Sequence, residues 1–477
     1  MRSLRLMLFI VIANLFIVGV TVHADPTVPP LPNTAEPPFG NGVSFRQNAL
    51  LDVSGGSLSL AAFGYVEEEF IVSGKTNLYQ YDPSGAVALK TAGVPYATRI
   101  IVRRPANPRR FSGNVYVEGG PGADGMPWAA DYIFAHGDVW VSIFTHGLRM
   151  FPQTVLQTFD PVRYAQINFP DFGQNWDIMS QVGRLLKTQV PANPLLGYNV
   201  KRIYANGWSG GASIWWFYIN DGFHQQVRMP DGGPIYDGYL VGEPSGYSPI
   251  NQDTFPAPIP PGDPRLTVVL PRDVPAIVLH SRLQEVARRR ADSDDPNDRY
   301  RVYEIAGATH ANLRVSRAYR QPEAAFHVGG PFACVNEISR FPFHYYFQST
   351  LARLHAWAAH GVKPPPSQRL ALNPDGTVIL DEHGNDVGGI RSTQLDVPTA
   401  RYLANAAGPG GHALCNGENA LGAQARFSPE KLDALYKNRG GYVFRVFQRA
   451  HQLEREGWLL PADAREVLRE ATHFHGF

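Results

Sequence analysis

Arg202-Ile203-Tyr204-Ala205-Asn206-Gly207-Trp208-Ser209-Gly210-Gly211-Ala212-Ser213-Ile214-Trp215-Trp216 is the stretch on which the reading of this chain turns. A short β-prone run enters it, an apolar run of helix length leaves it, and Gly-x-Ser-x-Gly lies between. The pattern predicts a strand, a sharp turn and a helix, with the Ser209 hydroxyl at the tip of the turn. A side chain at Gly207 or Gly211 would collide with the neighbouring strand or helix. At average Gly and Ser frequencies the pentapeptide arises in roughly one chain in five of this length. Ser209 as an ordinary helix N-cap would account for it equally. A base, an acid and an oxyanion-binding loop are therefore needed from elsewhere, in the right order.

Upstream, Gly64-Tyr65-Val66-Glu67-Glu68-Glu69-Phe70-Ile71-Val72 alternates polar and apolar residues, and Tyr96 to Pro105 repeats the pattern, as half-buried antiparallel strands do. Gly113-Asn114-Val115-Tyr116-Val117-Glu118 then runs into Gly119-Gly120-Pro121-Gly122. A strand entering a glycine-rich loop ahead of the serine is where oxyanion donors are expected, although such a loop is also a common tight turn. The stretch 138–144 reads as the next strand, and Ile178, Val182, Leu185 and Leu186 have helical spacing. Downstream come strands at 236–242, 276–280 and 301–305, with a proline-rich excursion at 244–272 placed over the carboxyl edge of the sheet. Glu285 follows the 276–280 strand and His310 follows the last one. This alternation predicts an α/β-hydrolase fold. Its parts are a mostly parallel sheet flanked by helices, N-terminal antiparallel strands, the excursion and a C-terminal appendage.

A serine hydroxyl becomes a nucleophile when a base takes its proton, and His310 is the base in the right place. Glu285 is the acid that this order selects to fix the His310 tautomer. Asp292, Asp294 and Asp295 on the same loop and Glu243 after the preceding strand are the other carboxylates in range. The acidic run at 292–298 reads as a solvated loop rather than a calcium site. The backbone N–H of Gly210, with one from Gly119 or Gly120, would form the oxyanion hole. Trp208 and Trp128 are candidates for a substrate-pocket wall. Trp215 and Trp216 read as core, and His136, His146 and His280 as ordinary polar or core histidines.

The chain has 477 residues, 44% hydrophobic and 18% charged, with a net charge of +1. Nothing in this balance suggests nucleic acid. Arg2 and Arg5 precede a mostly apolar run at 6–22, and Val22-His23-Ala24 resembles a cleavage site. Residues 1–24 are read as a signal peptide giving a secreted or periplasmic protein, with a membrane anchor as the alternative. Residues 25–59 form a proline-rich extended segment, 60–363 the core, and 364–477 a β-hairpin and helical appendage. Cys334 and Cys415 are expected to form one structural disulfide. No metal or organic cofactor is required, and neither a P-loop nor a dinucleotide-binding glycine motif follows a strand.

From about residue 60 onward the chain resembles a family of exported α/β-hydrolase-domain proteins, many classed as esterases without a defined substrate. The likeness rests on the 64–68, 96–105 and 111–118 stretches and on the Gly207 elbow. It continues through Asp298-Arg299-Tyr300-Arg301, Glu304-Ile305-Ala306-Gly307-Ala308-Thr309-His310 and Gly388-Gly389-Ile390-Arg391. The resemblance implies Ser209 as nucleophile, His310 as base and Glu285 as acid. Gly119-Gly120-Pro121-Gly122 departs from a Trp- and Asn-containing segment frequent in the family, and the stretch around Glu285 aligns with a one-residue shift. The expected activity is hydrolysis of a small-molecule carboxylic ester through an acyl-enzyme. The alternatives are a peptidase or amidase of the same fold, and a non-catalytic binding scaffold.

Overall fold

Six strands that are buried at nearly every position, and so covered on both faces, build the centre of this molecule. The computed structural model describes residues 27–42, 44–45, 59–120, 125–145, 154–244, 249–252, 258–282, 289–318, 334–406, 415 and 421–477. Residues 1–24, read as a signal peptide from the sequence, lie outside the described residues. The buried strands are β4 (Asn114–Gly120), β5 (Val139–Phe144), β6 (Arg202–Trp208), β7 (Gly238–Gly242), β8 (Ala276–His280) and β9 (Tyr300–Glu304). The two alternating stretches are longer than the sequence pattern marked. They form β2 (Tyr65–Tyr81) and β3 (Val87–Pro105), paired antiparallel. Part of the segment expected to be merely extended adds an edge strand, β1 (Asn33–Ala35), to β2.

The sheet order is β1-β2-β3-β5-β4-β6-β7-β8-β9. It is parallel from β5 to β9 and antiparallel on the β1–β3 side. The chain leaves β4 toward one edge and returns to β6 on the other side, so a topological switch point lies between these neighbours. Ligands of open α/β sheets bind beyond the carboxyl ends of the strands at such a point. The β4 glycines and Ser209 emerge there together.

Helices Asn175–Leu186 and Gly210–Asn220 cover one face, where Ile178, Val182, Ile214 and Phe217 pack with Val117, Val141 and Val241. Helices Met126–His136 and Phe343–His360 cover the other. The sequence reading anticipated neither of these two. Most positions of Met126–His136 and every position from Phe343 to Leu351 are buried, so the one-sided apolar stripe that marks a surface helix is absent.

In the segment 364–477 the hairpin and the last three helices lie where the sequence pattern marked them. Leu372 pairs with Val378 and Leu380 with Asp386 in the hairpin. Helices Pro429–Tyr436, Arg439–Arg455 and Pro461–Thr472 follow. Their Leu432, Leu453 and Val467, with Trp458 between the last two, share one buried cluster with Leu279 and Tyr303 of the sheet and Ile305 just after it. The C-terminal third is therefore one wall of the core. A two-stranded sheet of β10 (Ala400–Leu403) and β11 (Ala423–Arg426) lies beside it.

The described parts of the excursion contact two helices: the Ile250 carbonyl accepts from Trp176 Nε1 at 2.8 Å, at the start of the helix Asn175–Leu186, and the later part reaches the elbow helix. Val268 accepts from Trp216 Nε1 at 3.2 Å and from Asn220 Nδ2 at 2.7 Å, so this part packs along the elbow helix. Cys334 and Cys415 are joined across 81 residues, a loop whose closure contributes about 4 kcal/mol in the chain-entropy picture. Among the described residues no helix is long and apolar enough to cross a membrane.

Candidate active site

Ser209 follows β6 with φ 57° and ψ −126°, and the helix Gly210–Asn220 begins at the next residue. Its N–H donates to the Gly242 carbonyl at 2.9 Å, and its own carbonyl accepts from Ala212 and Ser213 at 3.0 Å. A Cβ on Gly207 would sit 2.6 Å from the Gly211 carbonyl carbon, and one on Gly211 2.9 Å from the Gly119 oxygen. Both glycines are thus required by backbone approach, as the motif predicts. The Gly211–Gly119 approach also brings the end of β4 against the turn. Gly210 opens the helix, so its N–H is among those a helix leaves without an intrahelical acceptor. At the end of β4, Glu118 is fully buried, and its Oε1 accepts from the Gly125 N–H at 2.7 Å. It thereby fixes the far side of 121–124, which lies outside the described residues.

Among the described residues four other than glycine have positive φ, and two of them are Ser209 and Glu243, at 57° and 48°. For a side-chain-bearing residue this conformation is uncommon and is held by surrounding structure. Glu243 directly follows β7 and is fully buried. Its Oε2 accepts from the Ser281 N–H at 2.5 Å and its Oε1 from the Ser281 hydroxyl at 2.7 Å. Oε1 also faces His310 Nδ1 at 3.9 Å. That is ion-pair range rather than a hydrogen bond, a spacing common before substrate binds. Burial alone would raise the Glu243 carboxyl. The His310 ring, the His280 ring and the Ser281 N–H together outweigh it and hold the group below its ordinary range.

His310 lies on the loop after β9 and is 9% exposed. Its carbonyl accepts from Trp208 Nε1 at 3.0 Å, and the two rings lie 5.5 Å apart. Trp208 immediately precedes the nucleophile candidate, so this bond joins the histidine loop to the elbow. Trp208 and Trp128 are 1% and 0% exposed and meet edge-to-face. Instead of offering a surface to a pocket, they support the loop from within the core.

The Ser209–Gly210 turn thus lies beside the end of β4 through Gly211 and Gly119, and the Trp208 indole joins it to the His310 loop. Glu285 falls in 283–288, outside the described residues. Among the described residues the carboxylate that faces His310 is Glu243, one of the alternatives in the sequence. The sequence reading missed Ser281, a small polar residue directly after a core strand, and the proximity of His280 to Glu243. His280 is 1% exposed at the end of β8. The acidic run is a surface loop, exposed at 294–297, and two of its carboxylates also pair with arginines: Asp294 with Arg301 at 2.7 Å and Asp298 with Arg290 at 2.6 Å. Among the described residues no three His, Cys, Asp or Glu are grouped to hold a metal ion. A cavity of about 610 Å³ lined by His136, Asp138, Lys201, Arg202, His355 and His360 opens at the amino ends of β4–β6, on the opposite edge from Ser209.

The family description "alpha/beta hydrolase domain" matches residues 27–469. The chain belongs to this alpha/beta hydrolase family. No curated protein matches it. Among solved structures, this alpha/beta hydrolase is similar to a protein described as a dienelactone hydrolase of Klebsiella pneumoniae. The identity is 14% over 61% of this chain and 99% of that one, with a TM-score of 0.29. A thermostable esterase of Pseudomonas putida is 12% identical over 56% and 81% of the two chains, with a TM-score of 0.30. The esterase Est22 is 14% identical over 46% and 64%, with a TM-score of 0.25.

Proposed function

We propose that this alpha/beta hydrolase is an exported serine hydrolase that cleaves a small carboxylic ester through an acyl-enzyme. Ser209 Oγ attacks the ester carbonyl while His310 takes its proton. Glu243 stabilises the resulting imidazolium and holds the ring in the tautomer that leaves Nε2 free. The N–H of Gly210 and one from the Gly119–Gly120 loop receive the oxyanion. Collapse of the tetrahedral species expels the alcohol, which takes the proton back from His310. Water, deprotonated by His310, then releases the acid and restores Ser209.

One observation carries this reading: the continuous path of contacts from Ser209 through the Gly242 carbonyl and Glu243 to His310, closed by the Trp208 indole. The two positive-φ residues in that path support it. Glu243 takes the acid's role because of its facing distance to His310, and Glu285 remains the competitor to be tested. Export rests on the 1–24 pattern, and the Cys334–Cys415 disulfide suits an oxidising compartment.

Fluorophosphonate labelling of the mature protein, with the adduct located by mass spectrometry, tests the reading. A single adduct on Ser209, absent from Ser209→Ala and suppressed by His310→Ala, is expected. An adduct elsewhere removes the elbow from the mechanism. No adduct on folded protein favours a binding scaffold, and peptide turnover exceeding ester turnover favours an amidase.

A further inference from the structure

We propose that Asp386, in the C-terminal hairpin, is a positioning residue for this site: it ties the loop carrying His310 to the strand end carrying Ser281, and so sets the separation of His310 from Glu243. The proposal rests on the reading of Ser209, His310 and Glu243 given above.

Asp386 is 1% exposed. Its Oδ2 accepts from the Gly307 N–H at 2.8 Å, three residues before His310. Its Oδ1 faces Arg282 Nε at 3.1 Å. Arg282 is the residue after Ser281, whose N–H and hydroxyl hold the Glu243 carboxylate. The Arg282 N–H donates to the Ala308 carbonyl at 3.0 Å, which joins the same two segments a second time. One carboxylate therefore grips both loops that bring the acid and the base together.

The hairpin is itself anchored on both sides of this grip. Ile390 donates to the Glu304 carbonyl at 2.8 Å and accepts from Ala306 at 3.1 Å, as a strand added beside the end of β9. Arg391 donates to the Asp386 carbonyl and pairs with Asp381 at 2.9 Å and Asp396 at 2.6 Å. Arg449 on the helix Arg439–Arg455 completes the row with Asp396 at 2.7 Å. A hairpin that had only to cover this face could do so with an apolar side chain, without desolvating a charge. A carboxylate with one oxygen on each loop fixes their distance, which an apolar contact does not.

The test compares wild type, Asp386→Asn and, as a control, Asp138→Asn, a buried carboxylate just before β5 at the opposite, amino end of the sheet. Turnover of an activated acetate ester, the rate of fluorophosphonate capture at Ser209, and hydrogen exchange across residues 304–312 are measured. Asp386→Asn is expected to lower kcat by roughly 10²-fold with KM little changed, the cost of a small misplacement of a reacting group. It should slow capture in proportion and speed exchange at the Gly307 amide, while Asp138→Asn changes none of these. A folded Asp386→Asn with wild-type kcat and unaltered exchange overturns the proposal. So does equal loss in both carboxylate variants, which reads as general destabilisation. If Asp386→Asn does not fold, Arg282→Gln leaves the Gly307 bond in place and must slow capture; wild-type capture there overturns the proposal as well. If the wild type neither turns over ester nor captures the probe, the serine-hydrolase reading fails. The Gly307 exchange comparison then still decides whether Asp386 ties the loop.

Discussion

Ser209 is held almost wholly by its own neighbours in sequence, whereas His310 is held by residues from distant parts of the chain. Gly207, Gly211, Ala212 and Ser213 shape the elbow, with the β4 and β7 backbones and the Glu118 side chain approaching from outside. The histidine loop leans on Trp208, 102 positions away, on Asp386, 79 positions from Gly307, and on Leu421 and Gly422, which bond to Ala311. A nucleophile on a strained turn can be specified locally because its strain is a backbone property. A base must be set against two partners on other strands, and nothing near it in sequence can do that.

The comparison is sharpened most by the acid. Glu243→Gln keeps the shape but cannot stabilise an imidazolium, so kcat on an activated ester is expected to fall about 10⁴-fold, with Glu285→Gln near wild type. The reverse result would move the acid to the loop after β8 and break the picture of a site gathered around β7.

The second effect concerns the C-terminal third as a support. Asp463, on the helix Pro461–Thr472, is 6% exposed, and burial, with Asp131 and Glu466 nearby, pushes its carboxyl up to about 7 against the opposing Arg314. Between about pH 4 and pH 7 the native state therefore holds a proton that the unfolded chain has lost, and stability falls as pH rises through that window. Asp463→Asn is expected to gain roughly 1–4 kcal/mol at pH 8 and almost nothing at pH 4, read by thermal unfolding at both values. Equal shifts at the two values would show that the charge is not what strains this contact.

The smallest effect is on the link between the halves. Trp208→Phe keeps most of the packing but loses the indole bond to the His310 carbonyl. A loss of about 1 kcal/mol should appear as a several-fold fall in kcat/KM, with Ser209 still captured by the probe. An unchanged kcat/KM would mean that the indole bond does not contribute to holding His310 against the elbow.

Much of this was legible in the residues. The β8 run 276–280 and the helix 461–472 match the structure to the residue, because strong apolar runs and a Pro at the helix start leave little freedom. The glycines of the elbow meet the contacts that their pattern demands. The helices Met126–His136 and Phe343–His360 escaped because burial on nearly all sides erases the period that reveals a helix. The two tryptophans were misplaced for a related reason. Their size suggested a pocket wall, while the fold uses that size to fill the space behind the histidine loop.

The sequence by itself determined the succession of core strands, the strand–turn–helix around Ser209 and the placement of His310 after the last core strand, since each is encoded over a few consecutive residues. Only the tertiary structure showed that, among the described residues, Glu243 faces His310, and that the C-terminal segment is built into the core. Several acidic residues stood in range along the chain. The choice among them depends on which strand end, after twist, pairing and the grip of Asp386, comes within reach of the imidazole.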